Sequence, residues 1–181
     1  MQMVGFAMLA LTFGICGGLY DQLLADAPNA LRFLYFCSSF FNQFGPNCTS
    51  FLCAAESFPT AVRAKAHGAS AAAGKLGALV ATIVFASLAP KEIFIACAGV
   101  GAAGAALTFF LLPETTGLDM AEADRFYLYL ISGEAERYTG EAVNPRHLSP
   151  VERWCRHGEH YDAAADADQR RLQALATKKR A

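Results

Sequence analysis

The chain has 181 residues, 54% of them hydrophobic, with a net charge of −1 and a mean hydropathy of +0.27. Such a balanced charge argues against the basic surface that nucleic-acid binding requires, so no nucleic-acid partner is expected. The charges are unevenly placed, because residues 1–112 hold nine of the 31 acidic and basic side chains and residues 113–181 hold 22. The sequence therefore predicts an apolar membrane region over 1–112 and a soluble tail over 113–181.

Four apolar stretches are long enough to cross a lipid bilayer, which takes about 20 residues of helix. Only a helix satisfies its own backbone groups within lipid at this length. The stretches contain one charged residue, Lys75, and cover residues 1–19, 33–55, 66–90 and 93–112. The predicted fold class is an all-α membrane protein with four transmembrane helices and a partly helical cytosolic tail.

The basic residues predict the orientation of these spans. Arg63 and Lys65 lie between the second and third spans, and the tail holds ten further Lys and Arg residues. Loops rich in Lys and Arg face the cytoplasm in most membrane proteins. We therefore expect an integral membrane protein, placed in the plasma membrane, with both termini cytoplasmic.

The tail carries signals for helices. Ser149-Pro150-Val151-Glu152 has a capping Ser, a Pro at the first helical position and a Glu that closes a capping box. Residues 118–131 mix acids with large apolar side chains and are expected to lie along the membrane surface. Residues 162–179 predict a polar helix with a basic end, either solvated or in contact with anionic lipid.

The remaining chemistry-bearing residues indicate no enzyme. The six cysteines form no C-x-x-C pair and lie mostly in apolar stretches, so we expect buried thiols rather than disulfides. Cys155, His157 and His160 fit no strong metal-binding spacing. No nucleophile–base pair is recognisable near the membrane region. We expect neither a catalytic activity nor a metal or cofactor.

The second apolar stretch contains polar residues that lipid disfavours. Pro46 has no backbone N–H, so the carbonyl of Asn42 loses its helical partner, and a kink is predicted beside Gly45. Such a face must look into protein or water, either joining helices, at about 0.6–2 kcal/mol per bond, or binding a solute. On a helix the polar positions share this face: Ser39, Gln43, Asn47 and Ser50.

Lys75 favours the second of these interpretations. It lies about 13 Å from the cytoplasmic end of its span by helical rise. An ionisable residue at that depth marks a functional site by default. Gly74 and Gly77 beside it are expected to pack tightly against other helices. Gln43, Asn47 and Lys75 together predict a site for a polar, anionic solute.

Four motifs resemble the phosphate:proton symporters of the major facilitator superfamily, over roughly residues 1–120. The second and fourth motifs are shared with sugar porters, whereas the first and third are typical of the phosphate branch. The motifs are FGPN (44–47), ESFPT (56–60) with Arg63, HGASAAAGKLGA (67–78) and PETTG (113–117).

The resemblance implies roles for particular residues. Asn47 matches the helix-ten Asn that hydrogen-bonds phosphate, and Lys75 matches a helix-eleven Lys near the central cavity. Glu56 and Arg63 match a cytoplasmic gate of paired charges. The chain departs from the family pattern with Gln43 in place of Asn, Ala54 in place of Pro and Ala61 in place of a second Arg, which weakens the expected gate.

The resemblance also implies a fragment. Family members have twelve helices, and this chain supplies counterparts of helices nine to twelve only. We expect the C-terminal part of a secondary transporter that moves inorganic phosphate with protons by alternating access, inactive on its own. The alternatives are a porter of sugars or other organic solutes and a four-helix membrane protein without transport activity.

Overall fold

A computed structural model describes the backbone of residues 1–180 and the side chains as far as Arg171. Every regular element in this part of the chain is helical, as predicted. The long helices are joined by a π-helical turn at Gln43–Asn47 and short 3-10 turns at Ala135–Arg137 and Glu141–Val143. The α-helices are α1 Gln2–Gly18, α2 Tyr20–Asp26, α3 Pro28–Asn42, α4 Cys48–Ser57, α5 Arg63–Phe85, α6 Pro90–Leu111, α7 Met120–Ile131, α8 Pro150–Trp154 and α9 Ala163–Arg180.

Two helices, α5 and α6, are long and apolar enough to cross a membrane, judged by length and composition. Helices α1 and α2 give a third span if this pair, bent by 70°, is counted as one. The predicted span over residues 33–55 is divided among α3, the π-helical turn and α4, so it contains no single uninterrupted helix of spanning length. Four spans therefore stay a prediction, and two to three apolar helices are established.

The division of this stretch occurs at the predicted place. Pro46 lies inside the π-helical turn, where its missing N–H cannot complete an α-helical bond. The carbonyl of Gly45 accepts from the backbone N–H of Cys48 and from the hydroxyl of Thr49, at 2.8 Å. The interruption is therefore a local change of helical register that leaves the chain helical on both sides.

The chain forms two compact units. The first consists of Met1–Ala55 and Ala64–Phe109, and the second of Glu56–Arg63 and the chain from Phe110 onward. The first unit holds most of α1 to α6, and the second holds α7 to α9 together with the segment that precedes α5.

Within the first unit, α1 packs against the π-helical turn through two glycines. A Cβ atom added at Gly5 would lie 2.6 Å from Cα of Gly45, and one added at Gly45 would lie 2.5 Å from Cα of Gly5. Both distances are shorter than real Cβ atoms tolerate, so only glycine fits at either position. The break at Gly45-Pro46 is thus also the point of closest approach between two helices.

The opposite side of α1 packs against α6 in a similar way. A Cβ at Gly101 would lie 3.0 Å from the backbone nitrogen of Ala10, and one at Gly104 would lie 2.6 Å from the ring of Phe6. Small residues of α6 thus allow α1 to approach it closely.

Helix α5 does not follow this expectation. Added Cβ atoms at Gly74 and Gly77 would meet nothing within 4 Å, and α5 has no buried residue. The prediction that these glycines pack tightly beside Lys75 is therefore wrong for the described residues. Small side chains recur on both α5 and α6, but their spacing does not reveal which helix face has a neighbour.

The cysteines also depart from expectation. Cys16 is buried as expected, whereas Cys48 and Cys155 are exposed. The expectation of buried thiols is therefore wrong for Cys48 and Cys155. Cys48 begins α4, and Cys155 follows the last residue of α8.

The second unit is built around one tyrosine. Tyr138 is fully buried and its ring lies 5.1 Å from that of Phe126 and 5.6 Å from that of Tyr129, both on α7. Its hydroxyl donates a 2.8 Å hydrogen bond to the buried Glu122. Burial and the nearby carboxylate raise the pKa of Tyr138, so the phenol stays neutral at physiological pH.

Charged side chains join α7 to α9 beside this ring. Arg125 bonds to Asp166, and Arg170 reaches Asp166 at 2.8 Å and Glu122 at 3.2 Å. Asp166 is only 5% exposed, so the first turns of α9 are packed rather than solvated on all sides. Of the predicted basic end, Arg170 belongs to this cluster, whereas Lys178, Lys179 and Arg180 lie outside the residues whose side chains are described.

The helix start predicted at Ser149 is confirmed. The Ser149 hydroxyl accepts from the backbone N–H of Glu152, and the Glu152 carboxylate accepts from the backbone N–H of Ser149 at 2.8 Å. Pro150 occupies the first turn of α8, where its missing N–H costs nothing.

Candidate functional site

The first unit contains a cleft of about 340 Å³ between α5 and the chain that runs from the π-helical turn into α4. It brings together Asn47 and Lys75, two of the three residues predicted to bind a solute. Its remaining walls are small or aromatic. The full lining is Asn47, Ser50, Phe51, Ala54, His67, Ser70, Ala71, Gly74, Lys75 and Ala78.

Gln43, the third predicted binding residue, does not line this cleft. Its side-chain oxygen instead accepts a hydrogen bond from the amide nitrogen of Asn47, one turn away. This bond fixes the orientation of the Asn47 amide. The geometry therefore favours a positioning role for Gln43, in which it acts on a solute through Asn47.

The lining of the cleft contains basic but no acidic side chains. Lys75 supplies an ammonium group, and no Asp or Glu occurs among the lining residues. The wall opposite α5 contributes only Asn47, Ser50, Phe51 and Ala54, none of which ionises near neutral pH. A positive group with amide and hydroxyl donors nearby, and no carboxylate to neutralise it, provides the chemistry of an anion site.

His67 is a further titratable group of the cleft. Its ring lies 5.9 Å from that of Phe51 across the cleft, at an angle of 37°. It lies two turns from Lys75 on the same helix. His67 belongs to the HGASAAAGKLGA motif, which predicted no role for it, and its side chain lines the cleft together with Lys75.

The predicted gate residues lie in the second unit, and each has a partner of its own. Glu56 accepts a hydrogen bond from the hydroxyl of Thr115. The Nε of Arg63 donates to the carbonyl of Phe58 at 3.0 Å. Among the described residues Glu56 and Arg63 form no ion pair with each other, and their role in a gate stays a prediction.

The tail contacts the same segment. The backbone N–H of Thr60 donates to the carboxylate of Asp124 on α7. The side chain and backbone of Thr60 lower the pKa of Asp124, and the nearby Arg63 guanidinium lowers it further. Asp124 therefore stays ionised and ties the start of α5 to α7. No motif or spacing pointed to Asp124, because its partner lies 64 residues away.

A second contact joins the PETTG motif to the tail. The backbone N–H of Glu114 donates to the carbonyl of His147 at 3.1 Å, and Nδ1 of His147 lies 2.8 Å from the carbonyl of Glu114. Hydrogen bonds from the side chain and backbone of Thr116 lower the pKa of Glu114. The end of α6 is thus fastened to the chain just before α8.

Cys155, His157 and His160 share the wall of a smaller cavity of about 240 Å³ in the second unit. No group of three or more His, Cys, Asp or Glu side chains in the described part of the chain has the geometry to hold a metal ion.

The chain is similar to known membrane transporters. The family described as "Sugar (and other) transporter" matches residues 1–127. A low affinity inorganic phosphate transporter of Medicago truncatula is 35% identical over 156 residues, which are 82% of this chain and 28% of that protein. An inorganic phosphate transporter of Oryza sativa is 38% identical over 128 residues, 67% of this chain and 23% of that protein.

A third relative, an inorganic phosphate transporter of Saccharomyces cerevisiae, is 41% identical over 87 residues, 48% of this chain and 14% of that protein. The chain thus spans between about a seventh and a quarter of the length of these three relatives. No solved structure matches it.

Proposed function

This chain belongs to the sugar (and other) transporter family, and from that premise we propose that it forms the C-terminal part of a proton-coupled inorganic phosphate transporter. The observation that carries the proposal is the cleft lined by Asn47 and Lys75 without an acidic neighbour. The names of the relatives support an anionic substrate. In the complete protein two halves alternate in exposing a central site to either side of the membrane.

Each residue of the cleft has a distinct task in this proposal. The ammonium of Lys75 attracts the anion over several ångströms, since a low-dielectric wall strengthens the field of a charge. The amide nitrogen of Asn47 has two N–H groups, of which one donates to the oxygen of Gln43 and the other donates to a phosphate oxygen. Gln43 holds this amide ready while the cleft is empty.

The finer architecture belongs to the same proposal. Residues 1–112 cross the plasma membrane in four spans. Residues 113–181 and both termini lie in the cytoplasm. Glu56 and Arg63 belong to a cytoplasmic gate. The distribution of Lys and Arg supports this orientation. Exposed Cys155 is then labelled by an impermeant thiol reagent only after cells are opened. Labelling of Cys155 in intact cells contradicts the orientation.

The chain alone is expected not to transport. The matched relatives are about four or more times as long as the part that this chain covers. Alternating access needs two repeat-related halves that rock about a central site. The proton-carrying acid is expected outside this chain, and proteoliposomes that contain only this polypeptide should show no proton-driven phosphate uptake.

A porter of sugars or other organic solutes is the second candidate, favoured by the breadth of the matching family. A neutral sugar gains nothing from the uncompensated charge of Lys75, whereas an anion does. Uptake of glucose and of phosphate by the same protein therefore separates the two candidates. A membrane protein without transport activity remains the third, and it predicts uptake of neither.

The test uses a hybrid in which this chain replaces the matching segment of the Medicago truncatula relative, which aligns with 82% of it. The hybrid is produced in yeast cells that lack their own phosphate transporters. Labelled phosphate uptake is expected, and Asn47→Ala should raise the apparent KM roughly ten- to a hundredfold, since a hydrogen bond to a charged group is worth ~1.5–3 kcal/mol. Lys75→Gln should also weaken uptake.

Two variants make the result specific. Asn42→Ala removes an exposed amide of α3 that does not line the cleft, so its KM should match that of the unaltered hybrid. Lys75→Arg should retain much of the uptake, because Gly74 and Gly77 leave open space beside it. An unchanged phosphate KM in Asn47→Ala, with surface levels matched, contradicts the assignment of the cleft.

A further inference from the structure

Trp154, the single tryptophan of the chain, has 86% of its surface exposed, the largest fraction among the exposed large apolar side chains. It ends α8, outside the membrane helices. A large aromatic side chain in water is costly, since its burial is worth several kcal/mol by area. Among the described residues its indole N–H has no hydrogen-bond partner. The apolar ring and the polar N–H of Trp154 are therefore both available to contact another surface.

The residues around Trp154 hold it in a fixed position. The capping box of Ser149 and Glu152 fixes the start of α8, and the N–H of Cys155 continues the helix by bonding to the carbonyl of Val151 at 2.9 Å. Ser149 itself is 2% exposed. These contacts fix α8, which therefore holds Trp154 in its exposed position.

Two arginines flank the indole. Arg153 and Arg156 are both exposed, and Nε of Arg153 donates to the carbonyl of Leu148, which leaves the rest of its guanidinium available. Arg156 is the one non-glycine residue with a positive φ, 65°, among those the structure describes. This left-handed conformation ends α8 and is usually given to glycine, because a Cβ strains it.

Two acids, Glu152 and Glu159, equal these arginines in number, but both carboxylates already have partners. Glu152 is occupied by the capping box. Glu159 pairs with Arg156 at 3.1 Å, but the side chains are 56% and 78% exposed, so the pair is weak and open to competition. His157 and His160 are exposed on the same segment and add positive charge when protonated.

We propose that Trp154, with Arg153 and Arg156, forms an anchor that binds the tail to the headgroup region of an anionic membrane. The indole suits the boundary between headgroups and acyl chains, where tryptophan is enriched, and the arginines pair with lipid phosphates and carboxylates. Helix α6 qualifies as a membrane span, and the same chain continues from its end at Leu111 to α8. The lipid surface is therefore present at a high effective concentration.

The experiment uses the full chain, reconstituted in nanodiscs of phosphatidylcholine alone or of phosphatidylcholine with phosphatidylserine at 3:1. With a nanodisc scaffold protein whose tryptophans are replaced by phenylalanine, emission excited at the red edge reports Trp154 alone, because the chain has no other tryptophan. The anionic discs should shift the emission to shorter wavelength and protect the indole from acrylamide. Lipids brominated near the headgroup should quench it more than lipids brominated at the end of the acyl chain.

The charge requirement is tested by Arg153→Gln with Arg156→Gln. At ~1 kcal/mol for each basic residue near an anionic surface, the membrane-bound fraction should fall about fivefold per arginine. The matched control is Arg137→Gln, an exposed arginine 72% accessible at its side chain, which should change nothing.

Three results would overturn the proposal. The first is equal acrylamide access in both kinds of disc, which means that Trp154 stays in water. The second is equal bromolipid quenching in neutral and anionic discs, which removes the role of the arginines. The third is a blue shift that depends on protein concentration without bromolipid quenching, which assigns the surface to another protein molecule.

Discussion

The two units of the chain are stabilised by different interactions. In the first unit the closest inter-helix contacts involve backbone atoms at Gly5, Gly45 and Gly101. Hydroxyl groups there mostly return to their own helix, as Thr12 does to the carbonyl of Met8 at 2.7 Å. In the second unit, charges and aromatic rings from distant parts of the sequence meet around Tyr138.

In the proposed architecture, this difference follows from the solvent that surrounds each unit. Lipid is as apolar as a leucine side chain, so helices associate there through close packing and a few polar bonds. Water rewards the burial of aromatic rings and tolerates charges at the edge of a core. The exposed apolar residues of α5 and α6 are therefore ordinary for a membrane region, whereas the exposed Trp154 of the tail calls for a partner.

The glycine contacts should give the largest effects. Gly45→Leu places a Cβ within 2.5 Å of Cα of Gly5, so α1 must separate from the π-helical turn. We expect a loss of at least about 3 kcal/mol, the upper end of the ~1–3 kcal/mol usual for overpacking, because backbone rather than a side chain must move. Thermal unfolding of the purified chain in lipid discs measures it.

Gly77→Leu is the control for this prediction. Its added side chain meets nothing within 4 Å, and leucine favours a helix more than glycine does. Stability should be unchanged or slightly higher. If Gly45→Leu and Gly77→Leu unfold at the same temperature, glycine packing is not what holds the first unit together.

Removal of a charge from the second unit should give a smaller but clear effect. Arg125 bonds to Asp166, lies 3.4 Å from Glu122 and covers the Tyr138 ring at 5.0 Å. Arg125→Met leaves two nearly buried acids with Arg170 as their remaining basic partner. The loss should be about 2–3 kcal/mol, below the ~3–5 kcal/mol for a fully broken buried pair.

Protease resistance of the tail in the full chain measures this change without requiring the membrane region to unfold. Arg137→Met removes an exposed arginine that pairs with the half-exposed Glu134, so cleavage should stay at the rate of the unaltered chain. Equal protection in the two variants would mean that the charged cluster contributes no more than a surface ion pair.

The sequence predicted the first unit better than the second. Hydropathy located α5 and α6, and the Gly45-Pro46 pair located the π-helical turn, since apolar length and a missing N–H act locally. The FGPN motif pointed to Asn47, and its depth in an apolar stretch pointed to Lys75. The two residues line one cleft. The packing of Gly74 was predicted wrongly, because periodicity shows that a face is small but not whether another helix covers it.

The second unit could not be predicted in the same way. Arg125 and Asp166 are 41 residues apart, and Thr60 and Asp124 are 64 apart. Neither pair has a periodic or motif signal, because each contact depends on how the loops fold. The features identified in advance are local ones, the capping box of Ser149 and Glu152 and the helix predicted over residues 162–179.

The smallest effect should come from acid. Burial alone would raise the pKa of Asp166, but its bonds from Arg125 and Arg170 outweigh burial and lower the pKa below the usual value near 3.8. A carboxyl whose pKa is lower in the folded state adds stability above its unfolded pKa and loses it as the pH falls through the folded value. The contact between α7 and α9 should therefore hold at pH 5 and weaken progressively below about pH 4.

Hydrogen exchange of peptides from α7 and α9, corrected for the intrinsic dependence on pH, measures this weakening. Asp166→Asn should show the weakened contact already at pH 5, whereas Asp168→Asn, at a side chain 76% exposed, should titrate like the unaltered chain. Protection of α7 that stays constant down to pH 3 would mean that packing around Tyr138 holds the tail without help from Asp166.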